Sequence, residues 1–251
     1  MIFNTIHQNI FVTELKWCIN IFAPSQNDPP ILFTMENIKN KHFNPDPFHL
    51  EWLEGMTLAD YGMPVIAPFN GPVPTSLITF QEARAGHCRN QDGIACPHFY
   101  IDDLRFTCIL NDLPRYTTML ANYPVVIGPD LSLKIDMPDP LKRYNSYLNK
   151  VITCYFQIHG LKAIPNVVWA DPRCYDYCFA GFPVESTVAV NSMGIKGDRR
   201  SAFFWLKGYE EMINRLHPTH ILRYGDKIKG EMESISTYYP NNHLNRMRYG
   251  R

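Results

Sequence analysis

The stretch VVIGPDLSLKIDMP, residues 125–138, joins a buried strand to a polar turn region. Its first residues are apolar and β-branched, which is typical of a strand that is covered on both faces. Pro129 then prevents the hydrogen-bonded ladder from continuing, because proline has no backbone N–H. The sequence therefore predicts a core strand that ends directly at the polar residues Asp130 and Ser132.

Strand and helix signals alternate on both sides of this stretch. Strands are predicted at residues 98–110, 125–130, 162–171, 186–194 and 219–226, and helices at 113–123, 140–160, 173–181 and 198–218. Such alternation is typical of a parallel sheet that is wrapped by helices. We therefore predict an α/β fold with a largely parallel sheet of about five strands and peripheral helices over residues 96–226.

The alternation fits both a barrel-like arrangement and an open doubly wound sheet, because both place helices around parallel strands. A doubly wound sheet has a switch point at which the strand order reverses. The successive strands here show no such point, so the barrel-like arrangement is favoured.

The flanking regions differ in character from this α/β core. Residues 1–34 show no sustained period and end in the breaker run APSQNDPP, so we interpret them as an extension with little order, upstream of a translation start at Met35. Residues 35–95 are rich in proline and glycine and predict an irregular, extended N-terminal cap. Residues 227–251 are interpreted as a basic C-terminal tail.

The bulk composition limits the setting and the partners. Twenty-four Lys and Arg balance 24 Asp and Glu, so no net charge draws the chain to nucleic acid or to an anionic membrane. No apolar stretch approaches the length of a membrane span. The 7 cysteines form no dense framework, which favours reduced thiols and a cytoplasmic location. The oligomeric state is left open.

Polar residues follow four successive predicted strands. In parallel sheets, ligands bind beyond the carboxyl ends of the strands, so these residues and the acid at 103 predict a common rim. The candidate catalytic residues are Asp103, Asp130, Asp171 and Asp226, and the candidate ligand-binding residues are Ser132, Trp169, Asn191, Ser192 and Tyr224. The alternative is that these residues cap helices and form turns, which the same residue types commonly do.

Two functional classes remain open. Paired acids can divide general-acid and general-base work or hold a divalent metal such as Mg²⁺, and Trp169 or Tyr224 can stack on a base. This predicts a hydrolase of phosphoester or glycosidic bonds in a nucleotide or nucleic acid. The alternative is a non-catalytic protein that binds a nucleotide, a nucleic acid or a host protein. The tail residues Arg246, Arg248 and Arg251 are a second candidate contact for nucleic acid.

Many ordered blocks of the sequence resemble the DUF4417 family over about residues 45–226. The blocks are HFYIDDLRF, LPRY, VVIGPDLSLKIDMP, RYNSYLNKVITCYFQIHG, IPNVVWAD, YDYCFAG, STVAVNSMG, FFWLKGYEEMINRLHP and ILRYG. The resemblance implies a bacterial, phage or mobile-element setting and implies no particular reaction. The chain departs from the family pattern at Ala180, where the family has an acidic residue, so a catalytic acid at that position is excluded.

Overall fold

Short strands and amphipathic helices alternate along the computed structural model, which describes residues 31–32, 48–87, 93–195 and 197–241. The strands are β1 (Ile31–Leu32), β2 (Thr57–Leu58), β3 (Ser76–Thr79), β4 (Ala95–His98), β5 (Val126–Ile127), β6 (Ala163–Ile164), β7 (Thr187–Asn191), β8 (His220–Tyr224) and β9 (Ser236–Tyr239). The α-helices in these ranges are α1 (Phe80–Arg84), α2 (Leu113–Leu120), α3 (Asp139–Ile158), α4 (Tyr175–Phe179) and α5 (Arg199–Leu216).

The strands of the predicted core pair in parallel, which confirms the mixed α/β class. Strand β3 pairs with β4, β5 pairs with β6, and β8 lies between β7 and β9. Two parts of the prediction are wrong. The strands form separate sheets of two, two and three strands instead of one larger sheet, and these described sheets do not close into a barrel.

The short central strands have a physical cause that is visible in the sequence. Strand β5 has only two residues because Pro124 and Pro129 lie on either side of it, and β6 is followed directly by Pro165. Proline cannot donate to a ladder, so each of these positions lacks a backbone donor. The chain continues alongside its neighbours, as the single parallel bridge between Asn166 and Ala189 shows.

Two predicted elements differ from the structure. Residues 99–110, predicted as part of a strand, form 3₁₀ turns at Asp103–Arg105 and Thr107–Asn111. The side chain of Asp102 accepts a hydrogen bond from the Leu104 amide and so begins the first turn. Strand β9 was not predicted, because its residues lie in the segment that was interpreted as a basic tail.

Side chains from successive strands meet in one apolar cluster although their hydrogen bonding is interrupted. The cluster draws one or more residues from each strand between β4 and β9: Cys96, Ile127, Ile164, Ala189, Leu222, Tyr224 and Tyr239. Helices α3 and α5 bury their apolar faces in two further clusters. None of the helices in the described ranges has the length and apolar character needed to cross a bilayer. The predictions for residues 1–34, for Met35 and for the arginines at 246–251 concern residues that lie outside these ranges, except for Ile31 and Leu32 of β1, and they stay predictions.

Candidate functional site

The polar end of β5 is fixed by close packing against helix α3. A Cβ atom at Gly128 would lie 2.4 Å from Oγ1 of Thr153, so only glycine permits this approach. Pro129 then ends the ladder, and the chain turns away from the strand. Asp130 consequently emerges at the carboxyl end of β5, where it is half-buried.

Amide side chains of α3 hold the loop that follows Asp130. Asn149 accepts a hydrogen bond from the Leu131 amide at 2.9 Å and donates one to the Leu131 carbonyl at 3.1 Å. Asn145 donates to the Ser132 carbonyl at 2.8 Å. Because the backbone polar groups of this loop are paired with a helix, the loop has a defined conformation.

A crevice follows this loop along residues 130–139. It consists of an inner cavity of about 180 Å³, a middle cavity of about 450 Å³ and an outer cavity of about 650 Å³. The inner and middle cavities share Trp169 and Trp205 as lining residues, and the middle and outer cavities share Asp136 and Arg200. We call these three adjoining cavities together the crevice.

The Asp130 carboxylate lines the inner cavity and is bracketed by two amide groups. Asn166 Nδ2 donates to Oδ1 of Asp130 at 3.0 Å, and Asn191 Nδ2 donates to Oδ2 at 3.1 Å. Burial raises the pKa of Asp130 to about 6, although the two amide donors oppose this shift, and the negative charge of Asp103 adds to it. A carboxyl group with this pKa exchanges protons close to neutral pH.

Asp103 reaches the same region from the turn that follows β4. Its two carboxylate oxygens accept hydrogen bonds from the backbone amide and the hydroxyl of Ser132, at 3.2 and 3.0 Å. Ser132 lines the inner cavity beside Asp130. The geometry therefore gives Asp103 a role in holding Ser132 and in adding negative charge near Asp130.

Two tryptophans form the apolar wall of the crevice. The ring centroids of Trp169 and Trp205 are 5.7 Å apart. Trp169 Nε1 donates to the Trp205 carbonyl at 3.2 Å, and Trp205 Nε1 donates to the Asn191 carbonyl at 2.8 Å. Both indole N–H groups are thus satisfied internally, which fixes the two rings. Both tryptophans line the inner and middle cavities, with 8% of Trp169 and 6% of Trp205 exposed.

A buried ion pair lies at the outer end of the crevice. Asp171 accepts hydrogen bonds from Arg173 Nε at 2.8 Å and from Lys142 Nζ at 2.7 Å. These bonds, above all those from Arg173, hold the pKa of Asp171 well below its usual range. Lys142, Arg173 and Arg200 line the outer cavity, whereas Asp171 is occupied with its two cations.

The structure brings five of the nine candidate residues together. Asp103, Asp130, Ser132, Trp169 and Asn191 lie in or directly beside the inner cavity. Asp171 is turned to the outer ion pair, as described above.

The other three candidates lie away from the lining of the crevice. Ser192 is buried and donates to the Asp226 carbonyl at 2.7 Å. Tyr224 is buried in the strand cluster, where it stacks on Tyr100 at 4.9 Å. The side chain of Asp226 is exposed. Tyr224 therefore packs within the strand cluster, and the stacking role predicted for Trp169 or Tyr224 stays a prediction.

The described residues contain no group of three or more His, Cys, Asp and Glu side chains placed to bind a metal ion. Asp130 and Asp103 are the acids nearest the inner cavity, and each already accepts hydrogen bonds from neutral protein donors. A divalent metal therefore remains a sequence-based prediction.

Sequence reasoning missed three residues that line the crevice or hold its acid. Trp205 and Lys142 line the crevice from helices α5 and α3, and Asn166, which follows β6, donates to Asp130 from outside the lining. A signal for Lys142 is present, since helix α3 carries a polar stripe at helical spacing on a face that is otherwise apolar. The buried polar residues of this stripe are Lys142, Ser146, Asn149, Lys150 and Thr153.

Comparison with known proteins identifies relatives of this chain. A family model described as "Domain of unknown function (DUF4417)" matches residues 57–239. The Gene 1 protein of Mycobacterium phage L5 is 32% identical over 185 residues, which cover 71% of this chain and 80% of that protein. The Gene 1 protein of Mycobacterium phage D29 is 31% identical over 148 residues, covering 57% of this chain and 55% of that protein.

A comparison with solved structures finds no match. The family model covers well over half of the chain, and the phage L5 relative is matched along most of its length. The chain therefore belongs to the DUF4417 family, which confirms the resemblance seen in its sequence blocks.

Proposed function

We propose that the crevice binds a nucleotide unit, free or at the end of a nucleic acid, and that Asp130 transfers a proton during hydrolysis of a phosphoester or glycosidic bond. The observation that carries this proposal is the bracketed carboxylate of Asp130 in the inner cavity. Perturbed carboxyl groups in clefts are typical of general acids and bases.

The lining of the inner and middle cavities fits the parts of a nucleotide. Trp169 and Trp205 offer a fixed apolar wall for a base, and base–aromatic stacking contributes about 1–3 kcal/mol per base. The lone pairs of Asp130 that the two amides leave unused can accept hydrogen bonds from ribose hydroxyls or an exocyclic amino group. Lys134 and Arg200 line the middle cavity and supply positive charge for a phosphate.

The proposed chemistry is a single proton transfer. Asp130 in its ionised form accepts a proton from the attacking water as the new bond to oxygen forms, and the leaving group departs with the bonding electron pair and takes up a proton from solvent. Its raised pKa, about 6, makes it a better base than an ordinary aspartate while leaving it mostly ionised at neutral pH. Asp103, which is engaged with Ser132, keeps that loop in place.

A non-catalytic binding protein is the second candidate. It is favoured by the engagement of two of the four predicted acids, because Asp103 is bonded to Ser132 and Asp171 to Lys142 and Arg173. Acids that are fully engaged in structural bonds do not take part in proton transfer. This candidate uses the same crevice and the same tryptophan wall.

The test is a panel of nucleotides and short single-stranded oligonucleotides, measured for binding and for hydrolysis with wild type and Asp130→Asn. We expect wild type to bind and to hydrolyse at least one member, and Asp130→Asn to keep its fold and lose hydrolysis. Glu210→Gln is the matched control, because Glu210 is an exposed acid in an ion pair on helix α5. Binding without hydrolysis in wild type would establish the second candidate, and no binding to any member would overturn both the hydrolase and a nucleotide- or nucleic-acid-binding role of the crevice.

A further inference from the structure

The orientation of the Asn166 side chain is determined by groups that have only one hydrogen-bonding role. Asn166 Nδ2 lies 2.9 Å from the Pro129 carbonyl, which can only accept. The amide nitrogen must therefore face Pro129, and the same nitrogen also donates to Asp130. Oδ1 of Asn166 is consequently turned to Tyr100, whose hydroxyl donates to it at 2.9 Å.

The second amide of the bracket is oriented in the same way. Oδ1 of Asn191 accepts a hydrogen bond from the Met193 backbone amide at 2.7 Å, and a backbone amide can only donate. Nδ2 of Asn191 therefore points to Asp130. Both carboxylate oxygens of Asp130 thus face a donor whose direction the backbone fixes.

The two amides differ in how deeply they are anchored. Asn166 is 3% exposed and Tyr100 is 2% exposed, so their hydrogen bond lies within the core. Tyr100 packs against His98, at 5.0 Å, and against Tyr224, at 4.9 Å, and the rings of His98 and Tyr224 are themselves 4.6 Å apart. Burial, together with the nearby charge of Asp130, raises the pKa of Tyr100 well above its usual value, so its hydroxyl remains a donor throughout the ordinary pH range.

We infer that Asn166 is a positioning residue for Asp130, and that Tyr100 fixes Asn166 through a chain of hydrogen bonds that runs from the strand cluster to the crevice. This inference rests on the proposed function, because it assigns these two residues to the group that would transfer the proton. These hydrogen bonds favour the ionised form of Asp130 and orient the plane of its carboxylate toward the inner cavity. Neither Tyr100 nor Asn166 lines the cavity, so they act through Asp130.

Several charged or titratable groups surround this chain. Asp103 approaches Asp130 from the turn after β4, and Lys134 lines the same cavity from the loop after β5. Tyr100 lies on the core side, where the positive charge of Arg223 on β8 partly opposes the rise in the pKa of Tyr100. None of these groups is altered by the substitutions below except Tyr100 itself, so a change in the titration of Asp130 reports on the hydrogen-bonded chain.

The experiment follows the carboxyl carbon of Asp130 by NMR in the full chain labelled at aspartate, with Asp130→Asn used to assign the signal. Asn166→Leu removes the amide donor with little change of volume. Because a hydrogen bond to a charged group is worth about 1.5–3 kcal/mol, we expect the proton affinity of Asp130 to rise roughly tenfold or more. Tyr100→Phe should shift it in the same direction by a smaller factor, since Asn166 keeps its bond to Pro129.

The control is Tyr123→Phe, which removes another buried hydroxyl, one that donates to the Ala83 and His87 carbonyls. Tyr123→Phe should lower the stability of the protein and leave the Asp130 titration unchanged. If Tyr100 had only a structural role, Tyr100→Phe would likewise lower the stability and leave the Asp130 titration unchanged. An unchanged titration in Tyr100→Phe overturns the inference, even if Asn166→Leu does not fold. The titration is recorded without ligand and therefore does not depend on hydrolysis. If the variants shift the Asp130 titration but the wild type hydrolyses no member of the panel, the hydrogen bonds from Tyr100 through Asn166 to Asp130 are supported and the proposed function is not.

Discussion

Nζ of Lys142 lies 2.7 Å from Oδ2 of Asp171, and the two side chains are 1% and 3% exposed. The lysine lies in the first turns of helix α3, and the aspartate follows β6, so the pair joins a helix to the loop at the outer end of the crevice. Arg173 forms a second ion pair with the Asp171 carboxylate from the solvent side. The pair therefore secures one side of the crevice.

Removing the acid of this pair should be strongly destabilising. Asp171→Ala leaves the buried ammonium of Lys142 without its counter-charge, and we expect a loss of about 3–5 kcal/mol in the free energy of unfolding. Urea denaturation measures this loss. Asp176→Ala is the control, because Asp176 pairs with Arg215 at the surface, and its loss should cost less than about 1 kcal/mol. Equal effects of the two substitutions would contradict the structural role of the buried pair.

The pH dependence of stability should carry opposite contributions from two aspartates. The folded-state pKa of Asp171 is lowered, so its contribution is present above the unfolded pKa and is lost as the pH falls. The pKa of Asp130 is raised from 3.8 to about 6, so its contribution is present below 3.8 and is lost as the pH rises through about 6. The unfolding free energy of wild type minus that of Asp130→Asn should therefore decrease between about pH 4 and pH 7. A difference that is constant with pH would show that Asp130 titrates normally.

Gly208 should be required for the position of Trp169. A Cβ atom at Gly208 would lie 2.1 Å from Nε1 of Trp169, so alanine must displace the indole. Alanine favours a helix over glycine by about 1 kcal/mol, but overpacking costs about 1–3 kcal/mol, so we expect Gly208→Ala to be destabilising or neutral. Tryptophan fluorescence should change, and affinity for any crevice ligand should fall.

The control for this substitution is Gly197→Ala. A Cβ atom at Gly197 would have no atom of the described residues within 4 Å, apart from its chain neighbours. Unaltered fluorescence and a higher melting temperature in Gly208→Ala would show that Trp169 keeps its position without a glycine at residue 208.

The ion pair between Arg223 and Glu231 should support Trp205 from behind the crevice. Arg223 is fully buried, Glu231 is 1% exposed at its side chain, and the guanidinium carbon lies 4.6 Å from the centroid of a Trp205 ring. Glu231→Ala leaves the arginine uncompensated, and we expect a loss of about 3–5 kcal/mol. Glu210→Ala, which breaks the exposed pair with Lys207, should stay within about 1 kcal/mol. Differential scanning calorimetry of the two variants compares them directly.

The sequence by itself determined the features that depend on neighbouring residues. Alternating apolar runs and amphipathic stretches predicted parallel strands with helices between them, and Pro129 and Asp130 marked the end of β5. These are local properties, because side-chain periodicity and the missing N–H of proline act within a few residues. The short lengths of β5 and β6 were also present in the sequence as flanking prolines, although their consequence for the sheet was not predicted.

Only the tertiary structure decided which polar residues share a site. Asp103 and Ser132 are 29 positions apart, and Asp130 and Asn191 are 61 apart, yet each pair is hydrogen-bonded. The sequence pattern placed Asp130, Asp171 and Asp226 alike at the ends of predicted strands, but in the structure Asp171 is held by two cations and Asp226 is exposed. The role of a strand-end acid depends on its burial and its partners, and both are set by how distant segments pack together.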